Sequence, residues 1–276
     1  MRKNFAEVLK NGKVDIRREY SRLYNLLYAT FDDGSIEGSS LYKQINDQFS
    51  EIWFRGTAIT LEEFDEEHGF SFERQPKDFN IDYLISFCEY LYNLILGYMG
   101  TLYNPNQNDL LFVLKQIDTV IAAIGYMPAT RDNFTIFVEQ SQSAIAVSEI
   151  IEDNDLAYKT IYYNHHSMKG DITGKKEILL KFANCLEPKS KLLHSINASL
   201  KDDLFYLFNN LNIRHNNIDN VDKRYYKKYV NNMSPEQIEE WYDETYQMCL
   251  LAFLEIEQYE RKKRFDILKD DIEKTK

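Results

Sequence analysis

The chain has 276 residues, 44% of them hydrophobic and 28% charged, with only ten glycines and five prolines and a formal net charge of −11. That length holds one or two domains and buries a core without disulfide or metal staples, while the scarcity of glycine argues against an all-β chain built on tight hairpins. The acidic balance opposes indiscriminate adhesion to nucleic acid or anionic membrane but leaves room for a local basic site.

Taken in chain order, the hydrophobic pattern is helical first. Ile16, Tyr20, Leu23, Leu27, Tyr28 and Phe31 predict a helix over 14–31, stopped by "DDGS". A second is predicted over 39–54 on Leu41, Ile45, Phe49, Ile52 and Trp53, with Ser39 or Ser40 as N-cap. A third runs over 80–99 and ends at Gly100, and "NPNQND" is a loop. A fourth, over 109–126, is apolar on a wide face and so central. "NFTIFVEQ" (133–140) reads as a strand, and "GFSFERQ" (69–75) has the same alternation, so the two are expected to pair as a small β-ribbon. Residues 143–152 turn helical again.

From 155 onward the pattern is a second helical unit, with helices at 155–165, 175–186, 200–212 and 235–265. The third of these is expected to start at "SLKD", with Ser199 as N-cap. The last opens on "SPEQ", a capping box with Ser234 at the N-cap, Pro235 at N1 and Gln237 at N3. "ERKKRFDILKDDIEKTK" reads as a charged, fraying tail. The expected architecture is mainly α: helical bundles with at most a small β-ribbon near 69–75 and 133–140, in two domains, 1–150 and 151–276.

Location follows from simple counts. Cys88, Cys185 and Cys249 stand alone in apolar runs, with no CxxC pair, which suits a reducing compartment. The N-terminus lacks the apolar stretch of a signal peptide, and no run approaches the ~18 apolar residues of a membrane span. A cytoplasmic protein without membrane association is expected.

Familiar catalytic motifs are missing. "GDITGKK" (170–176) is one residue short of a phosphate-binding loop, lacks the hydroxyl after the lysine, and reads as a turn and N-cap. "LEEFDEEHG" (61–69) gathers five carboxylates but nothing locally converges them, so a solvated acidic face outweighs a metal-dependent nuclease. Adjacent His165 and His166 point apart and make a poor metal pair. No metal site and no cofactor are expected.

One stretch stands out: "NNLNIRHNNIDN" (209–220), half asparagine, directly after the apolar "DLFYLF". Its plain reading is a helix corner stitched by asparagine side chains, with Arg214 capping carbonyls. Its chemical reading is a metal-independent RNA-cleaving site. Arg214 would stabilise a phosphate, His215 would act as general acid or base, and Asn216 and Asn217 would position groups. Downstream, "DKRYYKKY" interleaves Lys223, Arg224, Lys227 and Lys228 with Tyr225, Tyr226 and Tyr229. Cations for phosphate and rings for bases are what single-stranded RNA recognition uses.

The block from "YNHHSMKGDITGKK" through "RHNN" and the helix that follows, roughly 155–260, resembles the C-terminal helical domain of bacterial abortive-infection proteins and is similar to HEPN domains of phage-defence ribonucleases. The resemblance implies antiviral defence by RNA cleavage or growth-inhibiting RNA binding, and a homodimer that builds one composite site. Arg214 matches the family's arginine. The positions where the family's histidine is expected hold Asp219, Asn220 and Val221, so His215, or His165 or His166 from elsewhere, would have to serve. The rival reading is a non-enzymatic acidic helical interaction protein: a sensor, an antitoxin-like partner or a DNA mimic, with a protein partner or trigger.

Overall fold

In the computed structural model of the chain, residues 14–31, 39–102, 107–219 and 223–274 are described. The expected "DDGS" stop, the first half of the "NPNQND" loop, and Asn220, Val221 and Asp222 lie outside them, and the second half of that loop is helical. Helices carry the fold, and the strands among the described residues form two two-stranded antiparallel ribbons. The chain divides into two compact units, Met1–Gln140 and Ser141–Lys276, each with its own apolar core.

In the first unit, α1 (Ile16–Tyr28) begins at Asp15, whose carboxylate accepts from the Arg18 amide, and buries Tyr20, Leu23 and Leu27 at three- and four-residue spacing. A minimal ribbon of β1 (Thr30–Phe31) and β2 (Ser39–Ser40) leads into α2 (Leu41–Asp47), capped by the Ser40 hydroxyl. The helix expected over 39–54 therefore ends early, passing into a 3-10 turn at Phe49–Glu51. The acidic stretch forms α3 (Leu61–His68), capped by Thr60 and ended by Gly69 in the left-handed region. At the centre lies α4 (Ile81–Met99), with Leu84, Phe87, Leu91, Leu94 and Ile95 buried, followed by α5 (Gln107–Ala123).

The main ribbon differs from the expected one. β4 (Phe134–Glu139) matches the predicted strand, but its partner is β3 (Tyr126–Arg131), not 69–75, which holds no strand. Two local features cause this. Gly125 adopts a positive φ of 83° and stops α5 before Tyr126. Asp132 and Asn133 both have positive φ, 52° and 67°, the conformation of a tight two-residue hairpin turn. Pro128 does not break the ribbon because each strand of a pair is also an edge. The outer side of β4 is covered from α4. Asn93 donates to the Thr135 carbonyl at 2.7 Å and accepts its amide at 2.8 Å, and Glu89 accepts the Phe137 amide at 2.7 Å. Covering an edge in this way blocks pairing with another chain.

The second unit opens with α6 (Gln142–Ile150), whose Ala144 and Val147 are buried in the second core. This helix moves the unit boundary to 140/141 from the expected 150. α7 (Asn154–Tyr162) is capped by Asp153. A 3-10 turn at His166–Met168 leads to α8 (Ile172–Leu186), and another at Glu187–Lys189 to α9 (Ser190–Ile196). α10 (Ala198–Asn210) starts two residues earlier than expected, because Asn197 rather than Ser199 is the N-cap and accepts the Leu200 amide at 3.0 Å. The short α11 (Lys228–Asn231) precedes α12 (Pro235–Lys274). The Ser234–Gln237 capping box is made in both directions, at 3.0 and 3.3 Å. α12 packs Tyr242, Tyr246, Cys249 and Phe253 against Phe182 of α8 and Phe208 of α10 in one core. Beyond Glu260 its residues are exposed, yet the helix continues to Lys274 instead of fraying. Among the described residues no helix is long and apolar enough to cross a membrane.

The hairpin turn yields a direct test. Valine at Asn133, a position at positive φ, should cost the first unit about 1–2 kcal/mol, seen as a lower urea midpoint at unchanged slope. Asn133→Gly should be neutral or stabilising. An unaffected midpoint for Asn133→Val would contradict the turn geometry.

Candidate functional site

The polar corner begins where α10 runs out. Leu211 closes the last turn through its amide to the Leu207 carbonyl at 2.9 Å, and Asn212 reverses the chain at a positive φ of 56°. Asparagine tolerates that conformation better than other non-glycine residues. The Arg214 amide then returns to the Phe208 carbonyl at 2.9 Å.

Asn217 is fully buried. Its Oδ1 accepts the Asn212 amide at 2.7 Å, and its Nδ2 donates to the carbonyls of Asn209 at 3.2 Å and Tyr225 at 2.6 Å. Its own amide donates to Asn212 Oδ1 at 3.3 Å, and its carbonyl accepts the Lys227 amide at 2.8 Å. One amide side chain thus joins the end of α10, the turn and the downstream loop. Asn216 is exposed and local: its Oδ1 accepts the amides of Ile218 at 3.3 Å and Asp219 at 3.0 Å, an Asx turn.

Arg214 and His215 are consecutive but have separate neighbourhoods. Arg214 Nη2 donates to the Ala183 carbonyl at 2.7 Å, near the C-terminus of α8, and pairs with the Glu187 carboxylate. Its guanidinium lies over the rings of Phe205 and Phe208, 5.3 and 5.4 Å from their centroids. A cation at a helix C-terminus answers both the unfilled carbonyls and the negative end of the dipole. The His215 ring stacks instead on Tyr225, with centroids 4.1 Å apart and planes 16° from parallel. As arranged, the guanidinium is matched by Glu187 and the Asn217 amide is sealed from solvent. The four residues expected to form an acid–base site here build the corner itself. His165 is also engaged: it is buried, with Nδ1 2.7 Å from the Ser167 hydroxyl.

The loop held by this corner presents charge outward. Lys223, Arg224, Lys227 and Lys228 are exposed, and Tyr225 and Tyr226 are partly buried. Arg224 lies over the Tyr225 ring at 5.1 Å. Among the described residues, no carboxylate pairs with Lys223, Lys227 or Lys228. Tyr229 is 75% exposed.

Sequence reading missed a second polar cluster. Lys175, read as part of a false phosphate loop, is buried. Its Nζ donates to Glu239 Oε1 and Asp243 Oδ1 of α12, both at 2.7 Å. The Gly170 amide also donates to Glu239 at 2.7 Å, and Tyr163 Oη donates to Asp243 at 2.9 Å. Tyr163 stacks on Tyr246 with centroids 3.9 Å apart. Burial pushes the Tyr163 hydroxyl well above its ordinary value, with the Asp243 charge adding to the effect. Burial also pushes Glu239 up, but the hydrogen bonds from Lys175 and Gly170 outweigh it and hold this carboxyl below the ordinary 4.5. Two signals pointed to this cluster: Glu239 and Asp243 share one face at i,i+4, and Lys175 lies on the same helical face as buried Ile178 and Leu179. The "GDITGKK" turn behaves as expected, with Asp171 accepting the Gly174 amide at 2.9 Å as N-cap.

The carboxylates of 61–69 do not converge. Glu63 accepts the Ile59 amide at 2.7 Å, ahead of its own helix. Asp65 turns inward to hydroxyls of Tyr42 and Tyr90, both at 2.7 Å. Burial raises the Asp65 carboxyl above its ordinary value despite those two donors.

Three substitutions test these assignments. Asn217→Ala strands two carbonyls and an amide and should cost the second unit about 2–4 kcal/mol. Arg214→Ala loses a carbonyl cap and an ion pair whose partner is exposed, and should cost about 1 kcal/mol. Lys175→Met should cost about 1–3 kcal/mol, less than a fully buried pair because Asp243 reaches solvent. Since Glu239 is depressed in the folded state, its contribution is present above pH 4.5 and is lost as pH falls through the lower folded value. The Lys175→Met deficit should therefore shrink in acid; urea melts of each variant across pH 3–7 check all three. No protein-family model, curated protein or solved structure matches the chain.

Proposed function

We propose that the second unit binds single-stranded RNA at the 223–229 loop, inhibiting growth by holding RNA rather than cutting it, in the defence setting that the HEPN-like resemblance of 155–260 implies. The observation that carries this reading is the display of Lys223, Lys227 and Lys228 on the solvent side of a corner clamped by buried Asn217. In a chain of net charge −11, four exposed cations within six residues, Lys223, Arg224, Lys227 and Lys228, form a local basic patch. Phosphates supply counter-charge to such a patch, and the nearby tyrosine rings supply stacking faces.

Binding is favoured over cleavage by what Arg214 does. A phosphate-stabilising arginine has to offer its donor fork to the substrate. Here the fork meets the Ala183 carbonyl and the Glu187 carboxylate.

The test is anisotropy with a labelled, unstructured oligoribonucleotide across a salt series. Affinity should fall as salt rises, with a log–log slope of about −0.7 per phosphate contacted. Replacing Lys223, Lys227 and Lys228 with glutamine should flatten that slope by roughly two. RNA incubated with the protein in excess chelator should stay intact. Absence of binding at low salt would sink the reading in favour of an acidic protein-interaction module. RNA cut by the native protein and spared by folded Arg214→Ala/His215→Ala would restore the catalytic reading.

A further inference from the structure

We infer that a groove between α10, α11 and α12 is a slot for one unpaired adenine base of the bound strand; the inference rests on the RNA-binding reading above. The groove has a volume of about 280 Å³ and lies beside the basic loop, with Lys227 in its wall. That is near the lower end of the ~300–1,000 Å³ range of small-molecule sites, room for a single ring system.

Its lining is unusual for a surface. Tyr206 is 67% exposed, Tyr229 75% and Trp241 45%, and all three border the same groove, with Met233 among them. Each ring would stabilise the unit more if it were buried. Three large rings left in water around one concavity mark a place where something apolar and flat is taken up. Among the described residues neither the Tyr206 nor the Tyr229 hydroxyl has a hydrogen-bond partner.

Charge and hydrogen-bonding chemistry select the occupant. Lys227, which meets no carboxylate among the described residues, places a cation in the groove wall, which suits a ring attached to a phosphate. Its backbone amide is fixed to the Asn217 carbonyl at 2.8 Å, so the corner that presents the loop also sets this wall.

Asn210 adds base preference. Its Nδ2 donates to the Tyr206 carbonyl at 2.9 Å. A carbonyl only accepts, so the amide nitrogen must face it, leaving Oδ1 and the second N–H unused. An asparagine amide with one acceptor and one donor matches adenine, which offers N6–H as donor and N7 as acceptor. Guanine presents two acceptors at the same edge and would set O6 against Oδ1. Pyrimidines offer a smaller face for stacking.

The probes are an oligouridylate, the same strand with one central adenosine, and the same strand with one central guanosine. Trp53, the other tryptophan of the chain, is replaced in a Trp53→Phe background so that emission reports Trp241 alone. The adenosine strand should quench Trp241 and bind roughly fivefold or more tightly than the other two. Tyr206→Ala, on α10 and outside the basic loop, should weaken the adenosine strand roughly five- to a hundred-fold, leaving the oligouridylate nearly unchanged. The Tyr206 ring is exposed, so the melting temperature should hold and a folding defect is separable. Equal binding of all three strands with silent Trp241 emission overturns the adenine slot while the RNA-binding reading stands. No binding of any strand defeats that reading and the slot with it.

Discussion

A single buried amide organises the polar corner of the second unit. Asn217 uses its side-chain oxygen, its side-chain nitrogen twice, and both backbone groups, and every partner is backbone or another asparagine. A buried amide is tolerated only when its polar atoms are matched. Aspartate has the shape but no donor, and leucine has neither donor nor acceptor. The demand explains the density of asparagine after α10: Asn212 supplies the left-handed reversal and the return bond, and Asn216 closes the next turn. It also sets the course of the chain at Lys227, and so where the cations emerge.

Arg214 fastens the same corner from the opposite side. It joins the turn to the end of α8 by a charged hydrogen bond to Ala183, an ion pair with Glu187 and contact with two phenylalanine rings. Lys175 plays a similar part at the start of α12, where it draws Glu239 and Asp243 onto α8. Each cation is committed to structure at an element boundary, where backbone groups need partners. By contrast, Lys223, Lys227 and Lys228 face solvent. Some cations hold the fold and others are offered outward, the division on which the proposed RNA-binding role rests.

Much of the fold was legible because burial imposes a period. Leu84, Phe87, Leu91, Leu94 and Ile95 are apolar at helical spacing and form the buried face of α4. Ser234 and Gln237 marked the start of α12 through chemistry confined to four residues. The failures came where the deciding interaction was elsewhere. The ribbon depends on a backbone conformation at Asp132 and Asn133, set by positive φ at both residues, which no hydrophobic period records. The cap of α10 is Asn197 because that side chain reaches the Leu200 amide, and Ser199 two residues on was equally plausible by composition.

The corner was legible as a polar turn, and Arg214 as a carbonyl cap, from residue types alone. What adjacency concealed was direction: Arg214 and His215 are neighbours in the chain, yet one meets α8 and the other meets Tyr225. Lys175 was hidden for the opposite reason, since its carboxylate partners lie more than sixty residues away. The aromatic groove draws on three separate elements and had no signature in any one of them.

Amide hydrogen exchange at Lys227 measures the clamp directly. Its N–H donates to the Asn217 carbonyl at 2.8 Å, and it should exchange as slowly as the Arg214 amide, which donates to Phe208. Both should speed up together in Asn217→Ala while the α8 core amides stay protected. A Lys227 amide that exchanges at the rate of an open loop in the native protein would mean that Asn217 does not hold the basic loop.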